Sequence, residues 1–214
     1  MRFRNSALGV LAISTALCAA AAHATPQAET TKFSVMRDDT PIGTNTIDVE
    51  RNGPQTSVQI VTHVAVGVAF FTLYKFDQTE TEQWTNGRLL AMNAVTDDNG
   101  VVHRTNANSR DGSLVVEGDG PVQKMEPTIV PASLWNPAVL TQSVAFNPED
   151  GKIVPVSVVD RGEDNLTIAG RAEHAHHYVI KTSFLQDVWY DDGHRLVKME
   201  LKGADGSVIR YQLI

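Results

Sequence analysis

Apolar and polar residues alternate in twos over much of the chain. Ile47 and Val49 alternate with Thr46, Asp48 and Glu50, and Ile209, Tyr211 and Leu213 alternate with Val208, Arg210 and Gln212. Val197, Met199 and Leu201 are expected to face one way, with Lys198, Glu200 and Lys202 facing the other. A period of two puts successive side chains on opposite faces of a strand, and one dry face against one wet face is the antiparallel pattern. The runs are broken at Asn52-Gly53, Asn86-Gly87, Asn99-Gly100, Asp111-Gly112, Asp119-Gly120, Asp150-Gly151, Asp192-Gly193 and Asp205-Gly206. Such pairs reach positive φ cheaply and mark tight hairpins. The run opened by Phe33 and Val35 is expected to stop over Asp38-Asp39-Thr40-Pro41-Ile42-Gly43. The pattern predicts an all-β fold. It is a single antiparallel, strongly curved sheet, a half-barrel or barrel-like meander, rather than a set of βαβ units.

One segment reads as helix. Asn136 is a good N-cap, Pro137 a good first helical residue, and Trp135 with Leu140 has the spacing of a hydrophobic staple. One short helix is expected over 137–143. The Pro-containing stretch 121–137 is the most irregular part of the chain, and strand signals resume from Lys152 to Val159.

A second departure from simple alternation is Val64-Ala-Val-Gly-Val-Ala-Phe-Phe-Thr-Leu73, apolar at both parities and interrupted by Gly67. Two readings follow. The strand is covered on both faces by a filled core, or Gly67 bends it around a cavity. In the second reading Val64, Val66, Phe70, Phe71, Leu73, Tyr74 and Phe76 form an apolar ligand wall, and Trp135 with the short helix is a plug or lid over an open end. Trp84 and Trp189 read as core residues.

The first 24 residues differ from the rest. Arg2 and Arg4 precede an Ala- and Leu-rich stretch from Ala7 to Ala22, and Ala22-His23-Ala24 supplies small residues where signal peptidase reads. Residues 1–24 are expected to be a signal peptide cleaved between Ala24 and Thr25, leaving one β-rich domain over 25–214 in the periplasm, or secreted. The residues before Cys18 are Thr15, Ala16 and Leu17, a poor lipobox, so Cys18 is expected to leave with the leader. The remaining chain has no cysteine, which suits an oxidising compartment. It also has no apolar run near the roughly 20 residues a spanning helix needs. With 18 Lys+Arg against 25 Asp+Glu, the formal charge of the whole chain is −7. A nucleic-acid footprint needs clustered cations, so no nucleic-acid partner is expected.

Candidate chemistry is sparse. In His174-Ala175-His176-His177, a strand puts His174 and His176 on one face and His177 on the other. Two imidazoles so placed can ligate zinc or copper if Glu173, His63, His103 or His194 supplies a third donor. The competing reading is a surface strand of hydrogen-bonded histidines. Glu80 and Glu82 also share a strand face. Carboxyls that close can share a proton or act as acid and base, but glycoside cleavage needs them on opposing sides of the scissile bond. Same-strand neighbours of this kind are expected to form a solvated face. No Gly-x-Ser-x-Gly elbow, phosphate-binding Gly-x-x-x-x-Gly-Lys loop, His-Glu-x-x-His helix or EF-hand loop occurs in the sequence. No cofactor is expected.

The order of several short motifs carries a resemblance. These are an Ile42-Gly43 step, Trp84-x-x-Gly87-Arg88-Leu89 and Thr96-Asp97-Asp98-Asn99-Gly100. They are followed by Pro131-Ala-Ser-Leu134-Trp135-Asn136, Trp189-Tyr190-Asp191 and a final Gly206-x-x-Ile209-x-Tyr211. Taken together they resemble domain-of-unknown-function family 6134, a set of exported bacterial proteins. The resemblance implies an exported all-β domain and carries over no activity and no site residues. Three readings of function remain open. One is an exported non-catalytic β-sheet protein whose partner is an apolar or amphiphilic small molecule or an envelope component. The second is a metal-assisted hydrolase using His174, His176 and His177. The third is a purely structural envelope protein.

Overall fold

The computed structural model describes residues 26–68, 71–168, 170–203 and 205–214. The expected leader, its expected cleavage site and Cys18, together with the residue Phe70 and the Phe71 side chain, lie outside the described residues. Eight strands come first: β1 (Gln27–Arg37), β2 (Thr40–Asn52), β3 (Gln55–Val68), β4 (Phe71–Thr85), β5 (Arg88–Asp98), β6 (Val101–Arg110), β7 (Ser113–Glu117) and β8 (Gln123–Met125). After the 126–156 segment come β11 (Ser157–Ile168), β12 (Arg171–Lys181), β13 (Leu185–Asp191), β14 (Leu196–Lys202) and β15 (Val208–Leu213). Together they make one 13-stranded antiparallel sheet in the order β11-β12-β13-β14-β15-β1-β2-β3-β4-β5-β6-β7-β8. All neighbours are consecutive in sequence except β15 and β1, which join the two halves from Phe33 opposite Leu213 to Arg37 opposite Ile209. The sheet is not closed, and β8 and β11 are its edges.

Turn chemistry accounts for the hairpins. Asn86, Asn99 and Asp111 take φ of 50°, 51° and 49°, each followed by a glycine at positive φ. Such two-residue turns match the twist of the strands they join. The first hairpin is tighter than expected. It turns at Asp38-Asp39, with Asp38 at φ 52°, and the strand resumes at Thr40, so Ile42 and Gly43 lie inside β2. Pro41 is accommodated because the β1–β2 register shifts between Val35 and Met36. A bulge also revises the last strands. Pairing slips between Trp189 and Tyr190, so Tyr190 faces Leu196 while Trp189 faces Lys198. The extra residue, Val197, turns to the opposite face from Leu196, Met199 and Leu201 and joins a small cluster with Ala175 and Trp189.

The main core lies on the concave face. A flat sheet of 13 strands would be roughly 55–60 Å wide at the usual interstrand spacing. Yet Leu114 and Val116 of β7 share one buried cluster with Ile180 of β12 and Val188 of β13, so the sheet is strongly curled. The 126–156 segment fills the curl. It contributes Val130, Val139, Ala145, Phe146, Val154 and Val156 to that cluster. It contains a small hairpin, β9 (Val144–Phe146) with β10 (Ile153–Pro155), and one turn of 3-10 helix, Pro137–Thr141. The Asn136 side chain caps that turn by accepting from Ala138 N–H, as expected, but the helix is shorter than 137–143 and is not α. This plug is tied to the wall on several sides. Asp119 N–H donates to Asp150 C=O at 2.9 Å, Thr105 Oγ1 to Glu149 C=O at 3.1 Å, and Tyr190 OH to Leu134 C=O at 2.7 Å.

At one point wall and plug touch backbone to backbone. A Cβ on Gly118 would lie 2.2 Å from Asp150 O and 2.8 Å from Gly151 Cα. Neither atom can swing away as a side-chain tip could. Gly118→Ala is therefore expected to cost about 2–3 kcal/mol, the upper part of the overpacking range. Urea unfolding checks this, and a change below about 0.5 kcal/mol would contradict the contact.

Candidate functional site

The even-numbered residues of β4 from Phe76 to Trp84 point into the curl. Glu80 is 2% exposed and Glu82 is fully buried, so they do not form a solvated face. Their neighbours across the sheet are apolar: Ile60 and Ala94 flank Glu80, and Val58 and Met92 flank Glu82. Polar partners come from β4 itself and from the plug. Ser133 Oγ donates to Glu80 Oε1 at 2.6 Å. Two indoles converge on Glu82 Oε2, Trp84 Nε1 at 2.6 Å and Trp135 Nε1 at 2.9 Å, their rings edge to face at 5.9 Å. Glu82 Oε1 is buried and lacks a donor as long as both carboxyls are ionised.

A single proton resolves that deficit. Burial pushes the Glu80 carboxyl well above the ordinary carboxylate range, and the neighbouring Glu82 charge pushes it further, against the Ser133 hydrogen bond. Burial also raises Glu82, but there the hydrogen bonds from Glu80 and the two indoles among others oppose it. A proton carried by Glu80 and donated to Glu82, which keeps the charge, is the arrangement these shifts favour. Two buried carboxyls this close cannot both ionise without a large penalty. The consequence for stability has a definite sign. A carboxyl raised in the folded state contributes stability that is complete below its unfolded value near 4.5 and is lost as pH rises through the folded one. Across that window the wild type is expected to lose up to about 1.4 kcal/mol per pH unit relative to Glu80→Gln. Urea midpoints of both proteins over a pH series check this, and parallel curves would contradict the shared proton.

Glu80 lines a cavity of about 210 Å³ between the concave face and the plug, partly open to solvent. Ile47, Ile60, Phe76, Leu134 and Met199 give it apolar walls. Asn45, Thr62, Gln78, Gln186 and Glu149 add polar groups. Several of these are already fixed: Asn45 Nδ2 donates to Thr62 Oγ1 at 2.8 Å and Gln78 Nε2 to Thr96 Oγ1 at 2.9 Å. The Glu149 carboxyl is raised by its own partial burial and then by Asp98. Among the described residues, no Lys, Arg or His lines the cavity. The arrangement can hold one buried proton and offer hydrogen bonds to a guest. Both carboxyls sit on one wall, unlike the opposed pair of a glycosidase.

Of the residues expected to form or cover an apolar wall, Phe76 and Trp135 border this cavity, and Trp135 donates to Glu82. Val64, Val66 and Tyr74 do not border it. They continue the β3–β4 pair beyond it toward the hairpin tip, Val64 and Val66 half-buried and Tyr74 39% exposed. Trp84 lies in the main core and Trp189 in the small cluster on the opposite face.

The histidines divide between faces as a strand requires. Each meets carboxylates. His174 Nδ1 lies 3.0 Å from Asp192 and its Nε2 3.2 Å from Glu163. His176 sits between Asp160 at 2.6 Å and Glu163 at 2.8 Å. His177 pairs with Asp187 at 2.7 Å and stacks on Trp189 at 4.3 Å. Of the proposed third donors, His63 pairs with Asp77 and His103 with Asp119 elsewhere on the sheet, while His194 lines a surface pocket together with His176 and Glu163. Hydrogen bonds to Asp192 and Asp160 raise His174 and His176, which favours the protonated ring over the neutral one that a metal needs. Among the described residues no group of three or more His, Cys, Asp or Glu side chains is arranged to hold a metal ion.

No curated protein matches the chain in sequence. In fold it is similar to the crystal structure of a β-barrel-like protein of the domain of unknown function DUF1849 from Brucella abortus. That similarity has a TM-score of 0.59 at 13% identity and covers 86% of this chain and 95% of that one. At that identity the likeness concerns the fold alone. The profile of the domain of unknown function DUF6134 matches residues 33–214, and the chain belongs to that family.

Proposed function

We propose that this is an exported, non-catalytic binding protein that holds a small amphiphilic molecule in the cavity beside Glu80. The export reading is supported by Arg2, Arg4, the apolar stretch to Ala22 and the Ala22-His23-Ala24 site, and its destination is the periplasm or the exterior. The observation that carries the binding reading is the cavity itself, with apolar walls, built-in hydrogen-bonding groups and a volume of about 210 Å³. That exceeds the roughly 150 Å³ that holds benzene and falls below the roughly 300–1,000 Å³ of drug-sized sites. The guest is therefore about the size of a substituted benzene, with a polar group toward Glu80 and Ser133, rather than a long acyl chain.

The test uses 2-phenylethanol, which has about nine non-hydrogen atoms and suits a cavity of this size. Saturable one-to-one binding is expected by calorimetry, together with a rise in melting temperature that follows ligand concentration. Native mass spectrometry of protein taken from its own periplasm is expected to retain a small molecule in the same mass range. Absence of saturable binding together with an empty protein would contradict the reading.

A further inference from the structure

We infer that the Glu80–Glu82 pair is a proton-operated latch on this cavity: while it shares one proton it holds the plug through Ser133 and Trp135, and losing that proton releases the plug and widens the mouth of the cavity. The inference rests on the cavity reading above and concerns regulation of the same site. Three features of the geometry carry it. Both carboxyls project from the wall, on β4, whereas two of their three partner side chains come from the plug, 53 residues away in sequence. Those same plug residues, Ser133 and Trp135, form part of the cavity lining. The pair is buried among apolar neighbours, so water cannot screen a second negative charge without entering.

Among the described residues, other titratable groups do not supply a counter-charge inside the cavity. The strands flanking the pair place Val58, Ile60, Met92 and Ala94 beside it. The other titratable groups on the cavity wall are Glu149 and Tyr211, an acid and a phenol. Trp135 also borders a separate small crevice, which Arg51 and Arg195 line with Glu29 and His194. With both carboxyls ionised, Ser133 and the indoles still donate, but the carboxyls repel at contact distance and Glu82 Oε1 loses its donor. Relief requires water between wall and plug, and movement of 133–135 lets it in.

The test labels the three tryptophans with 5-fluorotryptophan and follows ¹⁹F resonances and 2-phenylethanol exchange from about pH 5 to about pH 10. The Trp84 and Trp135 resonances are expected to move with one midpoint above the ordinary carboxylate range. Release of 2-phenylethanol should accelerate about tenfold across that midpoint. Glu80→Gln keeps a carbonyl for Ser133 and an amide donor for Glu82, so it should hold both resonances and the release rate flat. Glu82→Gln removes the like charge and should lower the midpoint. Flat wild-type resonances, or the same movement in Glu80→Gln, overturn the latch. If 2-phenylethanol binds at every pH with unchanged release, the latch falls and the cavity reading stands. If it binds at none, the cavity reading falls and the latch with it.

Discussion

Replacing Glu82 by alanine should lower stability by about 3–5 kcal/mol, because a buried polar cluster would lose its hub. Two indole N–H groups and the Glu80 hydroxyl end on this one side chain, which is fully buried. An unsatisfied buried donor costs about 1–3 kcal/mol, and the lost side chain leaves a void besides. Removal of the charge itself offsets part of this. Glu82→Gln makes the argument sharp, since its carbonyl can still accept from both indoles and it carries no charge. That variant should lie within about 1 kcal/mol of the wild type near neutral pH and gain on it as pH rises. Chemical denaturation of both variants decides the matter. Equal losses for alanine and glutamine would show that the carboxylate charge, not the acceptor carbonyl or the side-chain volume, governs the site.

Phe146→Ala should be similarly costly, about 3–5 kcal/mol, for a different reason. Phe146 is the largest side chain that the plug buries completely. Its backbone also organises the segment: Phe146 C=O accepts from Ala132 N–H at 2.8 Å, one residue before Ser133. Losing the ring should therefore weaken plug docking first. Hydrogen exchange at Ala132 and nearby amides should accelerate more than exchange in the β1–β2 hairpin. Phe184, 58% exposed, provides the control, and Phe184→Ala should change stability by no more than about 0.5 kcal/mol. Equal effects at the two positions would mean that the plug does not carry a share of the core.

The sheet was legible where local rules act alone. Ile47 and Val49 are buried between more exposed neighbours, and Asn86, Asn99 and Asp111 sit at the positive φ their hairpins require. Local rules misled where pairing across the sheet overrides them. Thr40-Pro41-Ile42-Gly43 has loop composition, yet pairing with β1 and β3 makes it strand. Val197 fits the alternation of β14 and still turns outward, because a bulge inserts it. The plug was visible as an irregular stretch with Trp135 at its helix entry, but no local signal gives its full extent or its place inside the curl.

The site was misjudged on charge. Glu80 and Glu82 look like a wet face when read as residue types. Their phase says otherwise, since they share parity with Phe76 and Trp84, which flank them on one strand. A carboxyl in phase with large apolar residues is a candidate for burial. Its partners Ser133 and Trp135 come from a segment whose docking no alternation pattern predicts.

The account depends on one proton shared by two buried carboxyls, and a ¹³C titration of the glutamate side-chain carboxyls observes that proton directly. With δ-¹³C-labelled glutamate, assigned through Glu80→Gln and Glu82→Gln, the Glu80 resonance should stay protonated through neutral pH and titrate well above the ordinary carboxylate range. Glu82 should report the same event as a second step, because the pair titrates as a unit. Two independent titrations near the usual glutamate value would contradict the account, leaving the pair an ordinary hydrated couple and the plug without its latch.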